Sequence, residues 1–546
     1  MIKLQPENFF KILSILTFAS MVVFIQGRRA EATFPNKNVA HGNPSESDEY
    51  HDADFSKVHQ LVKEGKPEQA LDILQIKSKN KRTRPTALIL EALIWNDRDQ
   101  PLKALNLAKK ALQMQMQHPA LQFALCQIHR SMGQRKLAKR ACIITAQQHI
   151  NAPETHYERA QTLMALGDMK EAGKELEKAA QLDVDNPIYQ YERGLTFSYL
   201  NDSSAAEQAF RKALEIAPNH LDSAYQLAYI YAISNREKTA RELIDQILNS
   251  PNTHPKQTSA RVLADYINKK SVDKLPVKIE PAEYHKSRSK ALYKSNKFGL
   301  SLLEIQTACQ IKPNDIKTQE ILVGLSGLLL RLEVSESAVR RFIHMNQSNK
   351  TAQARGYQKL GDVMVMQGKL DLAKNHYEKA IELGDPKNLA KVSLEELPEK
   401  MDVKIIPLKS SELFDNPADG LNRAGEIFAH YSMYKSALGV YSLALQMNPQ
   451  HLMTMLNIGA AHFSMRQYNR AITVLEKTLV TYPTHPHIDG HRLLLAQSYV
   501  KKGDFDEGVK NLRSLFLLNS GYKKIVKTDP IFKSLSDNED YKKLFE

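Results

Sequence analysis

From Ala70 to Ala240 an alanine recurs every 34 residues, at Ala70, Ala104, Ala138, Ala172, Ala206 and Ala240. Other small or apolar residues keep step with it. In the clearest copy, Pro187 to His220, Gly194, Ala206, Phe210, Ala213 and Pro218 stand at positions 8, 20, 24, 27 and 32. Such a period predicts a helix-turn-helix pair per unit. Small residues at 8 and 20 let the two helices approach closely, while the apolar residue at 24 and the alanine at 27 pack toward neighbouring helices. Proline at 32 closes the second helix, because it lacks the amide hydrogen and clashes with the preceding turn.

The frame gives six uninterrupted units, starting at His51, Pro85, Pro119, Pro153, Pro187 and Leu221. A lone first helix is expected from Pro255 to Lys270, followed by a two-proline break, SVDKLPVKIEP. A less regular series then runs from Ala282, with Phe298, Ala308 and Pro313. It continues through Ala338 and Phe342 to a strong unit with Gly361, Gly368, Ala373, Tyr377 and Ala380. The stretch from Asn388 to Pro417 does not fit the frame. The pattern resumes at Ala418 (Gly425, Ala437, Tyr441, Ala444) and Leu452 (Gly459, Ala471, Leu475), with one further unit carrying Ala496, Gly503 and Leu512.

These spacings resemble the tetratricopeptide repeat. The resemblance covers most of the chain and implies an all-α fold, a right-handed superhelical solenoid of antiparallel helix pairs. The final segment, IVKTDPIFKSLSDNEDYKKLFE, is similar to the cap of other such arrays, where Asp-Pro starts a helix and Phe and Leu dock on the last pair. A cap is needed because the final repeat would otherwise expose an apolar face. The expected organisation is a signal peptide or anchor over 1–32, a flexible leader over 33–50 and a first array over 51–270. A linker over 271–281, a second array over 282–387, an insert over 388–417, a third group over 418–522 and capping helices over 523–546 complete it. With 42% hydrophobic residues and 22 glycines in 546, the composition suits a helical chain with ample core.

The N-terminus bears on the compartment. Lys3 and Lys11 precede an apolar run from Ile12 to Ile25, shorter than a comfortable membrane span. Ala30-x-Ala32 would allow cleavage after Ala32, as in an exported protein. The alternatives are an uncleaved anchor over about Phe9 to Gln26, or a fortuitous apolar start; Arg28 and Arg29 lie awkwardly for export. Export would put the repeats outside the cytoplasm, in the periplasm of a Gram-negative host. Of three cysteines, Cys126 and Cys142 hold positions 8 and 24 of one unit. They read as small buried apolar side chains, with a disulfide as the alternative.

An array of this kind supplies binding through its first helices, which line the concave face. Position 5 of the regular units is Phe55, Ile89, Phe123, Tyr157, Tyr191 and Tyr225, with Tyr199 and Tyr229 nearby. Tyrosine offers contact area, a polar tip and little rotamer entropy to lose. The expected groove is therefore Phe55, Phe123, Tyr157, Tyr191, Tyr199, Tyr225 and Tyr229, although the same residues could instead support neighbouring first helices. Ala70, Ala104, Ala138, Ala172, Ala206, Ala240, Ala373, Ala437 and Ala471 are the expected packing residues. Some tetratricopeptide domains grip a terminal carboxylate through lysine at 5 and asparagine at 9; the regular units depart from that pattern.

The net charge of +14 is concentrated at Lys77, Lys79, Lys81, Arg82 and Arg84, at Arg130, Arg135, Lys136, Lys139 and Arg140, and from Lys269 to Lys297. These clusters could be solvated faces, or could meet an acidic protein, an acidic glycan or an anionic membrane surface. Nucleic acid and a small-molecule substrate are the poorer partners, since no recognised motif for either is present. No phosphate loop, HExxH, paired CxxC or nucleophile elbow occurs, and nothing asks for a cofactor. One metal-like spacing exists, His485-x-His487-x-Asp489-x-His491, which could chelate if the segment were extended. The expected function is a non-catalytic protein-interaction scaffold in a cell-envelope assembly, with a carbohydrate-binding subunit of exopolysaccharide synthesis or export as the alternative.

Overall fold

The computed structural model describes residues 55–114, 118–148, 150–250, 256–268, 279–385, 387–398, 407–408, 413–414, 416–483, 485 and 488–546. The leader and the expected signal or anchor segment lie outside the described residues, as do 271–278 of the linker. Among the described residues the secondary structure is helical, without strands. No helix among them is long and apolar enough to cross a membrane. The chain divides into two compact units, one reaching Leu322 and the other beginning at Val323.

In the first unit the helices pair as α1 (Ser56–Lys63) with α2 (Pro67–Lys77), α3 (Arg84–Asp97) with α4 (Pro101–Met114), and α5 (Pro119–Ser131) with α6 (Arg135–Gln148). Then come α7 (Pro153–Ala165) with α8 (Met169–Leu182), α9 (Pro187–Tyr199) with α10 (Ser203–Ile216), and α11 (Leu221–Ile233) with α12 (Glu237–Leu248). The single helix α13 (Lys256–Ile267) stacks on α11 and α12. Proline at the first turn of α5, α7 and α9 fixes the helical φ where no amide partner is needed. Asn186 accepts from the amide of Ile188 and caps α9.

Each within-pair turn places one residue in the left-handed region, again 34 residues apart. Gly65, Asp99, Gly133, Gly167, Asn201 and Asn235 have φ of 71°, 56°, 68°, 81°, 60° and 58°. Glycine, asparagine and aspartate tolerate that region best, which accounts for the residue types at this register. The six regular-unit alanines from Ala70 to Ala240 are fully buried. Opposite Gly194 stands the ring of Phe210, so close that a Cβ at 194 would overlap it. One continuous core runs from Ala160 through Leu176, Phe210, Ile230 and Ile244 to Ile267.

The regular stacking ends at α13. The next pair, α14 (Pro281–Lys294) and α15 (Phe298–Ile311), belongs to the first compact unit and packs α15 on α5 and α7, far back along the chain. The sequence frame had placed it at the head of a second array. α16 (Ile316–Leu328) follows.

The second unit contains α17 (Leu332–Met345), then α18 (Lys350–Met366) paired with α19 (Leu370–Glu382), and the short α20 (Leu389–Glu396). After it come the pairs α21 (Pro417–His430) with α22 (Tyr434–Met447), α23 (Leu452–Ser464) with α24 (Tyr468–Thr481), and α25 (Ile488–Lys502) with α26 (Phe505–Leu518). Ala373, Ala437 and Ala471 are fully buried here. Helix α20 lies inside the expected insert and packs against α19 and α22. Its Glu396 accepts from the amides of Lys435 and Ser436 at 2.7 and 2.9 Å, capping α22 from a distance. The chain closes with α27 (Tyr522–Thr528), a 3-10 turn (Pro530–Leu535) and α28 (Glu539–Lys542). Asp529 caps the 3-10 turn, and Phe532 and Leu535 join Leu512, Leu515 and Val526 in a terminal core.

Candidate functional site

The position 5 side chains do not line an open groove. Phe55 is 1% exposed and Phe123 is fully buried; Tyr191, Tyr199 and Tyr225 are each 6% exposed and Tyr229 is 9% exposed. Tyr157 is half-buried against Tyr189, with ring centroids 5.3 Å apart. Tyr191, Tyr199, Tyr225 and Tyr229 belong to the same core as Ala172, Ala206 and Ala240. The physical reason is that a ring at position 5 faces the second helix of its own pair and the first helix of the next. Tyr191 accordingly lies 5.9 Å from Phe210 and 5.2 Å from His220, centroid to centroid. Lys256 sets its ammonium 5.2 Å from the Tyr225 ring.

Tyr199 faces a different neighbour. Its ring meets Tyr284 edge-on at 5.1 Å, and its hydroxyl lies 3.3 Å from Nε2 of His285, both on α14. Burial raises its phenol, as it raises those of Tyr225 and Tyr229. Nothing in the sequence frame anticipated α14 at this place, because the partners are 86 residues apart.

Behind these rings sits a polar motif that the sequence reading missed. His285, Arg288 and Glu304 occupy positions 4, 7 and 23 of their unit; His156, Arg159 and Glu175 hold the same positions of the unit at Pro153. Nδ1 of His285 lies 2.6 Å from Glu304, which also accepts from Nε of Arg288 at 2.9 Å. Nδ1 of His156 lies 2.6 Å from Glu175, and Arg159 approaches the same carboxylate at 3.5 Å. Burial alone would raise both carboxyls, but the neighbouring arginine and histidine outweigh it and hold each below the usual glutamate value. The clue was available as a repeated H-x-x-R with a glutamate sixteen residues on.

Cys126 and Cys142 form a disulfide with Cα atoms 4.8 Å apart, so they are more than the small apolar side chains the spacing suggested. Positions 8 and 24 meet here as they do at Gly194 and Phe210, which brings the two sulfurs together. Cys309 is buried and takes no part in that disulfide.

The basic clusters separate on folding. Arg130 pairs with Glu158 at 2.7 Å, and Arg135 donates to Thr307 and to the Leu166 carbonyl. Lys79, Lys81, Arg82, Lys136, Lys139 and Arg140 stay exposed. The histidine-rich segment is not extended as chelation would require. Helix α25 begins at Ile488, His491 is fully buried while His485 is exposed, Asp489 accepts from Asn519, and His487 lies outside the described residues. Among the described residues no group of three metal-ligating side chains converges.

Tetratricopeptide repeat models match residues 153–186, 189–220 and 354–383. A model described as anaphase-promoting complex, cyclosome, subunit 3 matches residues 430–515. No curated protein matches the chain in sequence. Among solved structures, the P58(IPK) TPR domain is 13% identical, with 72% of this chain and 97% of that chain covered and a TM-score of 0.21. MamA 41-end from Desulfovibrio magneticus RS-1 is 18% identical over 36% of this chain and 96% of that one, TM-score 0.18. Naa15/Naa10 bound to HypK-THB is 12% identical over 79% and 68%, TM-score 0.25. The 34-residue phase, the stacked helix pairs and the matched repeat models lead to one conclusion: the chain is a tetratricopeptide-repeat protein.

Proposed function

We propose that this protein is a non-catalytic interaction scaffold working outside the cytoplasm, in a cell-envelope assembly. Tetratricopeptide repeats are in general protein-interaction scaffolds. The observation that carries the extracytoplasmic setting is the Cys126–Cys142 disulfide. Disulfides persist in oxidising compartments and are rare where glutathione and thioredoxin keep thiols reduced. The apolar run from Ile12 to Ile25 ahead of Ala30-x-Ala32 agrees with that setting.

The surface offered to a partner is the exposed basic side of the second helices, with Lys136, Lys139 and Arg140 on one helix. It suits an acidic protein segment. The polysaccharide alternative loses support from the burial of Tyr191, Tyr199, Tyr225 and Tyr229, because sugar stacking needs an open ring face.

Thiol trapping in intact cells tests the compartment. After acid quench, Cys126 and Cys142 should resist alkylation until reductant is added, and the protein should fractionate with the envelope. Free thiols at both positions in a cytosolic fraction would sink the proposal.

A further inference from the structure

The α14–α15 pair leaves the stack and returns to the first array, where its contacts follow the row of within-pair turns. At the turn after α5, Gly299 lies against Ser131 and Met132. A Cβ on Gly299 would overlap the Ser131 carbonyl, and one on Gly133 would overlap the Gly299 backbone. At the turn after α7, the Thr307 hydroxyl donates to the Ala165 carbonyl at 2.7 Å and receives Nη1 of Arg135 at 2.8 Å. The same guanidinium donates to the Leu166 carbonyl at 3.0 Å. At the turn after α9, Tyr284 of α14 packs edge-on against Tyr199 at 5.1 Å, and Asn201 accepts from the amide of Ile279, two residues ahead of α14, at 2.9 Å and donates to its carbonyl at 3.4 Å. Lys297 approaches Asp99, at the turn after α3, at 3.7 Å.

The contacts at the turns after α5 and α7 share one chemistry. A helix ends with carbonyls that have no partner of their own, and successive first helices present such ends side by side at 34-residue intervals. Gly299 and Thr307, about two helical turns apart on α15, meet two neighbouring ends: the glycine allows backbone contact, and the threonine supplies the missing donor. Polar bonds lie along this rim beside buried apolar packing, with Tyr284 against Tyr199 and Leu303 between Gly299 and Thr307 on α15, and an interface of such mixed character within a chain is where relative motion is expected.

We propose that the first array carries its own helical ligand. The α14–α15 pair occupies a docking row formed by the turns at Met132–Gly133, Ala165–Gly167 and Tyr199–Asn201. The same row receives a partner's helix of this design, a glycine followed by a threonine two turns on, when the resident pair is displaced. This stands apart from the compartment reading and does not depend on it.

The test uses the full chain and a fluorescent synthetic peptide of residues 279–311. In Gly299→Leu the resident pair should undock, so amides of α14 and α15 exchange faster while those of α9 and α11 keep wild-type protection. The peptide should bind this variant at least ~10-fold more tightly than wild type, whose row is already filled. Adding Arg135→Ala should weaken that binding. Thr307→Val is the milder release variant if Gly299→Leu does not fold; it is read by the same exchange and binding measurements. A peptide that fails to bind a released chain, or α14 and α15 amides that exchange only with global unfolding in a folded variant, would overturn the proposal.

Discussion

His285 and Glu304 meet at 2.6 Å on α14 and α15, and His156 and Glu175 meet at the same distance, also nineteen residues apart, on α7 and α8. Each carboxylate is held below the ordinary glutamate value. A depressed folded-state carboxyl stabilises the fold at pH above its unfolded value, and that stability is lost as pH falls through the folded value. The stability these two pairs contribute to the first unit should therefore be lost in acid below about pH 4.5, the ordinary glutamate value. Glu304→Gln should lose part of that acid dependence, measured by urea unfolding between pH 3 and 7. At neutral pH it should cost about 3–5 kcal/mol, because Arg288 and His285 lose their buried partner. The same acid dependence in parent and variant would contradict the assignment.

Asp362 carries the opposite sign. Burial raises its carboxyl to about 6, in spite of the hydrogen bond that Tyr377 donates to it at 2.8 Å. A raised folded-state value favours the protonated form, so Asp362 contributes stability to the second unit near pH 4 that is lost as pH rises through about 6. Asp362→Asn should flatten that dependence. Thermal melts of the variant and parent across pH 4 to 7 would reveal it, and identical slopes would refute it.

Removing a position 5 ring should act on folding before it acts on any partner. Tyr225, at position 5, is 6% exposed, and Phe210, at position 24 and packed on the position 5 ring of Tyr191, is fully buried. Tyr225→Ala and Phe210→Ala should each destabilise the first unit by about 3–5 kcal/mol, as large cavities do. Chemical denaturation followed by circular dichroism would measure this. A change within 0.5 kcal/mol, the range of surface substitutions, would mean that the ring is not part of the core.

The disulfide predicts a redox-dependent melting point. Cys126 and Cys142 are sixteen residues apart, and closing a loop of that size is worth about 3 kcal/mol in the chain-entropy view. Reductant should lower the thermal midpoint of the parent chain and leave that of the Cys126→Ala/Cys142→Ala variant unchanged. Equal midpoints with and without reductant in the parent would count against a structural role.

The long-range cap at α22 gives a smaller effect. Glu396→Ala frees the amides of Lys435 and Ser436, so it should cost roughly 0.5–2 kcal/mol, the range for loss of a cap. Faster hydrogen exchange confined to the first turn of α22 would mark the site. Unchanged exchange there would exclude the capping role.

By itself the sequence determined the local unit. A 34-residue phase of small, apolar and turn residues dictates helix, turn, helix and the seam between neighbours, because those interactions join positions within one repeat length. It also placed Cys126 and Cys142 at meeting positions, although it could not choose between two thiols and a bond. Only the tertiary structure decided where α14–α15 goes, and with it the surroundings of Tyr199 and Arg135. Thr307 meets Ala165 across 142 residues, and no periodic pattern encodes a contact of that range. Periodicity likewise assigned the position 5 rings to first helices without saying whether their faces would stay open. That depended on how tightly successive pairs close over them and on which distant segment covers what remains, both of which are properties of the assembled packing.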